Sequence, residues 1–368
     1  MTRIFVCLML VGILLIYFSG CNNLTSNQLS NSTTEVITEP NMMTETETES
    51  SPSMEMETEI EPNLALDFQY ETNSNQTGIV INKYIGKKQD VVIPSYIENL
   101  PVVSLKGIPD EYYTTAISEG VFQGSNIKTV VIPKTVRSIG YAAFRDCKEL
   151  TTITLLSDSS LTNISGKAFA NCVKLEKIDL SSTQVKIIDP LAFQGCTNLK
   201  EIAFSETLEE IRAKAFYECF SLLEINFPNS LTKIEGGAFA YCTNLQHVSI
   251  PKSMKLTSFD EAIFHNVGAL KQIIFEEGRE SIIGYALFQT DANVEIIVPK
   301  GVKKFSPLTF LINPTATISI TFLGDAPEIV EDDTDWFGNP TIYYDPEATG
   351  WDTFSWKEKF EMKPISAK

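Results

Sequence analysis

Five cysteines, Cys147, Cys172, Cys196, Cys219 and Cys242, recur 23 to 25 residues apart, and thiols in such a series could ligate a metal or cross-link the chain. A zinc site draws on closely spaced ligand pairs, and there is no C-x-x-C and no His partner at ligand spacing. The only histidines are His247 and His265. Neither has a Ser, Cys or carboxylate at a spacing that suggests a triad, and the G-x-S-x-G, H-E-x-x-H and phosphate-loop patterns are missing. Asp332, Asp333 and Asp335 place three carboxylates within four residues, a set that can share Ca²⁺. The plainer and preferred reading is an exposed acidic loop. Trp336, Trp351, Trp356, Tyr343 and Tyr344 could stack a sugar or close a hydrophobic core. Hydrolysis of a glycan would need two carboxylates at a defined separation, and no pair stands out. The expectation is no enzyme and no cofactor. A net charge of −18 without a basic cluster excludes nucleic acid as a partner.

The elements that would position these groups follow a period. Phe122, Phe144, Phe169, Phe193, Phe216, Phe239, Phe264, Phe288 and Phe310 are separated by 22 to 25 residues. Five residues before them stand Ile117, Ile139, Ile164, Ile188, Ile211, Ile234, Phe259, Ile283 and Phe305. Such a fixed period marks a solenoid. Nine and eleven residues after the Phe come apolar pairs such as Ile178 and Leu180, or Ile225 and Phe227, with a polar or small residue between them. That alternation predicts a strand with one face on a core. Pro133, Pro228, Pro251 and Pro299 stop strands, because Pro cannot donate to a ladder. The Ala-Phe segments are too short for more than one helical or 3-10 turn. Each unit therefore supplies a strand, a turn, a second apolar stripe and a tight corner. No unit can bury its own apolar side chains, but stacked units bury them together. The Phe series predicts eight or nine coils.

The unit L-x-x-I-x-L-P…I-G-x-x-A-F-x-x-C resembles the leucine-rich repeat of BspA-like bacterial surface proteins, over about residues 90 to 323. Flanking segments around Ile79–Gly86, Val91–Pro94 and Leu100–Val103, and from Phe322–Pro327 to Gly350-Trp351, are similar to that family's opening coil and closing segment. The resemblance implies a mainly β solenoid of short parallel strands and tight helical or 3-10 corners, stacked with a right-handed curve. It spans 65–323, with an opening coil at 65–107 and a capping segment at 324–368. It also implies that the cysteines stack at one buried corner, where a small residue with a weak S–H donor fits. Two departures stand out: Pro109 to Thr115 interrupts the first coil, and after Phe264 the Cys position becomes Val267, Asp291 and Asn313.

At the N-terminus, Arg3 precedes an apolar run from Ile4 to Phe18. Fifteen residues at about 1.5 Å each fall short of a ~30 Å hydrocarbon core, so residues 1–20 read as a signal segment. The run ends in Phe18-Ser19-Gly20-Cys21, which resembles the lipobox of bacterial lipoproteins and implies lipid attachment at Cys21. The other reading is an ordinary signal peptide with an incidental Cys. Residues 21–64 carry nine Glu and no Lys or Arg, including Thr44-Glu45-Thr46-Glu47-Thr48-Glu49. Such a composition cannot offset the entropy of ordering and reads as a disordered tether.

These features predict a lipid-anchored, extracytoplasmic module displayed at the cell surface, which touches the membrane through its anchor alone. Its partner would be an extracellular protein or glycan, bound across the outward residues of the strands. The candidates on this concave face are Lys128, Thr129, Thr154, Lys177, Asp179, Lys200, Glu201, Glu224, Asn226, Gln246, His247 and Lys271. The alternative is a structural envelope lipoprotein without a specific ligand.

Overall fold

The structure is a computed structural model that describes residues 61–107, 119–256, 262–331 and 338–367. Cys21, the tether up to residue 60, Ile117, Pro109–Thr115, Phe259, the Asp332–Asp335 carboxylates and Trp336 lie outside the described residues, whereas Asn63, assigned to the tether, is buried against Val92.

One coil shows the construction. Glu201–Ala203 is a strand whose Ile202 points inward between exposed Glu201 and half-exposed Ala203. Phe204 is buried, and the chain turns where the Leu208 N–H reaches the Ser205 carbonyl at 3.1 Å. Glu210–Ile211 forms a two-residue second strand. Overlapping i→i+3 turns then carry the corner: Ala215 to Arg212 at 3.2 Å, Tyr217 to Lys214 at 3.2 Å, and Cys219 to Phe216 at 3.3 Å. Lys214 and Glu218, both left-handed at φ 56° and 62°, make that corner tight. These corners are chains of turns; a 3-10 helix appears at one of them, Pro307–Thr309.

Stacked coils pair like with like. The main face carries parallel strands in runs of three, two and seven, from Asp90–Val92 to Glu361–Pro364. Ile178 lies opposite Ile202, and Ile225, Val248, Ile273, Ile296, Ile320, Ile342 and Met362 follow one another in register. A second ladder aligns Leu105, Ile139, Ile164, Ile188, Ile211 and Ile234. The nine phenylalanines form a continuous ring stack. Neighbouring centroids lie 5.1 Å apart between Phe144 and Phe239, with planes within 13°. All nine rings are at most 1% exposed. Their spacing follows the strand spacing of about 4.8 Å, so stacking and sheet pairing reinforce each other.

Two sequence expectations need correction. The solenoid has about eleven turns, not eight or nine. The closing segment adds rungs at Thr341–Tyr344 and Glu361–Pro364, which carry no corner Phe and so escape the Phe count. In the coil of Phe288 the inward residue of the second ladder is Ile282, opposite Phe305, while Ile283 is half-exposed. Gly284 adds a residue before the corner there, and its N–H is taken by the Thr309 hydroxyl at 3.0 Å.

Both ends are protected. Phe68–Thr72 pairs antiparallel with Ile79–Tyr84. Asn63 closes the edge of Asp90–Val92, since its backbone N–H donates to the Val92 carbonyl at 2.8 Å and its side-chain oxygen accepts from the Val92 N–H at 2.9 Å. The last strand carries Lys363 and ends in Pro364, which blunts an exposed edge. The closing aromatics pack inward: Trp356 is fully buried against Phe305 at 5.9 Å, and Trp351 is 6% exposed against Phe322 at 5.5 Å. These two rings close the core and offer no face for a sugar.

Candidate functional site

Outward side chains of the main strands form columns across the rungs. Register places Thr129 beside Thr152, Lys177 beside Glu201, and Glu224 beside His247 and Gln272 in one column. Thr154 and Asp179 lie two residues further along their strands and Asn226 just past the end of its strand, while Lys128, Lys200, Gln246 and Lys271 stand just before theirs. Ten of the twelve candidates are exposed, and Thr129 and Gln246 are partly buried. The strand members among them face outward, and Lys128, Lys200, Asn226, Gln246 and Lys271 flank the strands. A shallow depression of about 500 Å³ lies there, lined by Thr151, Thr152, Ile153, Glu176, Lys177 and Asp179.

Charge on this face is only partly neutralised. Lys177 pairs with Glu201 at 3.2 Å and Lys200 with Glu176 at 3.0 Å. Lys128, Asp179, Glu224 and His247 make no ion pair among the described residues. Asp179 is instead held by the Ser181 hydroxyl at 2.6 Å and its N–H at 3.0 Å, which keep its pKa below the ordinary aspartate value. On the second ladder three inter-coil pairs neutralise the central coils, while Arg137 and Lys255 at its ends make no ion pair among the described residues. Lys186 meets Glu209 at 2.8 Å, Arg212 meets Asp189 at 2.7 Å, and Lys233 meets Glu210 at 2.9 Å.

The sequence-based set stops at Lys271, yet the same face continues. Glu295, Ser319, Thr341 and Glu361 extend the column of Gln272, and half-exposed Ile274, Ile297 and Tyr343 extend that of Asn226. Strand alternation would have found them; the missing corner cysteines hid the register.

The repeat cysteines occupy the opposite kind of place. All five are buried and unbridged. Each thiol donates to the Phe carbonyl of the preceding coil: Cys147 to Phe122 at 3.0 Å, Cys172 to Phe144 at 3.1 Å, Cys196 to Phe169 at 3.2 Å, Cys219 to Phe193 at 3.3 Å and Cys242 to Phe216 at 3.4 Å. Burial pushes the Cys147 thiol up to about 11 and that of Cys196 to about 12, and raises the other three as well. The thiolate that would bind metal or attack an electrophile is suppressed. Among the described residues no group of three His, Cys, Asp or Glu is arranged to hold a metal ion. His265 sits at a corner, with Nδ1 2.8 Å from the Gln289 amide oxygen.

No curated protein matches the chain. Among solved structures it is similar to the leucine-rich repeat protein TpLRR of T. pallidum, with 28% identity over 62% of this chain and 88% of that one, at a TM-score of 0.42. It is also similar to the pneumococcal vaccine antigen PcpA, with 17% identity over 81% and 92% of the two chains, at a TM-score of 0.40. A leucine rich cell surface protein of Faecalibacterium prausnitzii matches with 18% identity over 78% and 96%, at a TM-score of 0.36. The model of the BspA type leucine rich repeat region matches six copies within residues 115–246 and 186–317, more than half of the sequence. The recurring Phe, Cys and Ile positions are the residues stacked in this solenoid, and the chain belongs to the BspA type leucine-rich repeat family.

Proposed function

We propose that this protein is a surface-displayed binding module, lipid-anchored through Cys21, whose main strand face engages an extracellular protein or glycan partner. The observation that carries this reading is the contrast between the two ladders. The second ladder pairs Lys186, Arg212 and Lys233 with carboxylates of adjacent coils, whereas the strand face leaves Lys128, Glu224 and His247 without an ion pair among the described residues and has an open depression around Lys177 and Asp179. Polar groups displayed without internal partners are available to a ligand, and a broad shallow surface suits a macromolecule better than a small molecule. The same openness supports a binding role rather than catalysis. The acidic tether would hold the solenoid away from an anionic envelope.

The test is binding to candidate matrix proteins, partner cells and a glycan array by the correctly folded chain. Replacing Thr154, Asp179 and Asn226 together by Arg should abolish capture while leaving the melting curve in place. A purely structural envelope lipoprotein would show the opposite pattern: the triple variant would behave as wild type, and deletion of whole coils would not. Fatty-acid labelling that persists in Cys21→Ser would defeat the anchor.

A further inference from the structure

The repeat supplies its own control for what the fold requires at each position. Four and seven residues after the corner Phe, the coil before carries Thr197 and Lys200 and the coil after carries Thr243 and Gln246. The coil of Phe216 breaks this rule with Phe220 and Leu223, which are 38% and 43% exposed. Their neighbours show that polar side chains satisfy the fold here, so core packing does not account for the two apolar ones. Exposed apolar groups placed together where the fold asks for none mark a contact site.

The surroundings identify what would cover them. Leu223 immediately precedes Glu224 on the strand face, and Glu224 makes no ion pair among the described residues. Glu201, one coil below, is already held by Lys177 at 3.2 Å. An apolar pair beside an unneutralised carboxylate, rimmed by polar groups, has the composition of an interface anchor: a desolvated centre within a polar ring. A sugar is a poorer match, because beside the single Phe220 ring aliphatic Leu223 offers neither a second stacking face nor a hydrogen bond. We propose that Phe220 and Leu223 form the anchor of a protein-binding site, and that the partner is a polypeptide presenting an apolar side chain next to Lys or Arg. This rests on the strand-face reading above and narrows its partner to polypeptide.

The test pans a random linear peptide library on the full-length protein, in parallel with a glycan array. Enriched peptides should carry an apolar residue flanked by Lys or Arg. Their binding should weaken by about tenfold or more in Leu223→Ser and in Phe220→Ser, the size expected of interface anchors, with the thermal midpoint unchanged. Glu224→Lys should reverse the charge preference. Equal enrichment on wild type and on the Phe220→Ser/Leu223→Ser double variant would overturn the proposal, as would enriched peptides lacking basic residues or glycans retained through these two side chains. If binding is lost in Asp179→Arg but not in Leu223→Ser, the anchor fails and the strand-face reading stands. Indifference to every strand-face variant would overturn both.

Discussion

The coils up to Phe239 and those from Phe264 onward bury the same ring stack but build its corner differently. From Phe144 to Phe239 the corner is a chain of turns with two left-handed residues per coil, such as Leu191 and Gly195 or Lys214 and Glu218, a pair that the coil of Phe264 keeps as Ala262 and Asn266. From Phe144 to Phe239 a buried thiol closes each one by donating to the carbonyl of the coil below, whereas the coil of Phe122 has Ser125 there. In the second group Phe264–His265, Phe288–Thr290 and Phe310–Ile312 pair as parallel strands, and the main strands from Gln272 onward run four or five residues, against two or three from Lys177 to Ile225. There a hydroxyl does the nearest equivalent work, with Thr290 Oγ1 donating to the Val267 carbonyl at 3.1 Å. The cysteine thus goes with corners made of turns alone: at Phe264 the left-handed pair persists, but Phe264–His265 pairs as a strand and the position is Val267. Where a strand takes over the corner, ladder hydrogen bonds replace the thiol and the residue is free to vary.

Since the ring stack is common to both groups, removing one ring should be costly in either. Phe193→Ala and Phe288→Ala should each lower stability by about 3–5 kcal/mol, read from chemical denaturation, through lost burial and the cavity left behind. If one of the two were tolerated, the shared spine would be refuted. The thiol should separate the groups. Cys196→Ala removes a buried sulfur and its 3.2 Å bond to the Phe169 carbonyl, which keeps the Cys172 N–H at 3.2 Å. The expected loss is about 1–2 kcal/mol, with Cys196→Ser smaller because a donor remains. Val267→Ala, at the same position in the second group, loses packing alone, so the Ser variant is informative only at Cys196. Slow alkylation of the native thiols should accompany this, and rapid labelling of all five would contradict their burial.

Most of this architecture was legible because burial imposes a period. Phe, Cys and Ile recur wherever a coil must fill the same space, and strand alternation alone placed Lys177, Glu224 and His247 on the outer face. Reading failed where the local chemistry changed. A fixed five-residue offset points to Ile283 and cannot register the extra residue beside Gly284, which shifts the inward position to Ile282. The last two rungs were missed because Ile342 and Met362 stack without a corner Phe. Leu223 and Phe220 were invisible for another reason: apolar residues in a repeat read as core until exposure is known.

Turn chemistry gives a finer distinction. Gly195 and Glu218 occupy the same corner position in adjacent coils, at φ 69° and 62°. A side chain in that region is strained by about 1–2 kcal/mol, so Gly195→Ala should lower stability by about 1 kcal/mol, and its new Cβ would meet Asn171 Oδ1 at 2.6 Å. Glu218→Gly should raise it by about 0.5 kcal/mol, since relief of strain is partly offset by the freedom glycine has when unfolded. No such effect is expected at Phe310–Ile312, where the corner is extended.

The smallest effect concerns charge, and it separates the halves along the second ladder. Partial burial of Glu235 works against its ionisation, but the Lys233 ammonium at 2.7 Å and the Ala213 N–H at 2.9 Å outweigh it and hold its pKa below the ordinary carboxylate value. Lys233, shared with Glu210 at 2.9 Å, is raised in turn. A carboxylate with a lower pKa folded than unfolded stabilises fully above the unfolded value near 4.3, and that contribution drains away as pH falls through the folded value. Glu235→Gln should therefore cost less than about 1 kcal/mol at neutral pH, discounted for solvent screening, and the difference from wild type should vanish at low pH. In the C-terminal half Lys303 and Glu280 meet at 3.0 Å with both side chains more than 70% exposed. Glu280→Gln should leave denaturation curves unchanged at either pH, because solvent already screens that pair. A pH-dependent loss at Glu280 as large as at Glu235 would show that the charge ladder, unlike the thiol ladder, does not distinguish the two halves.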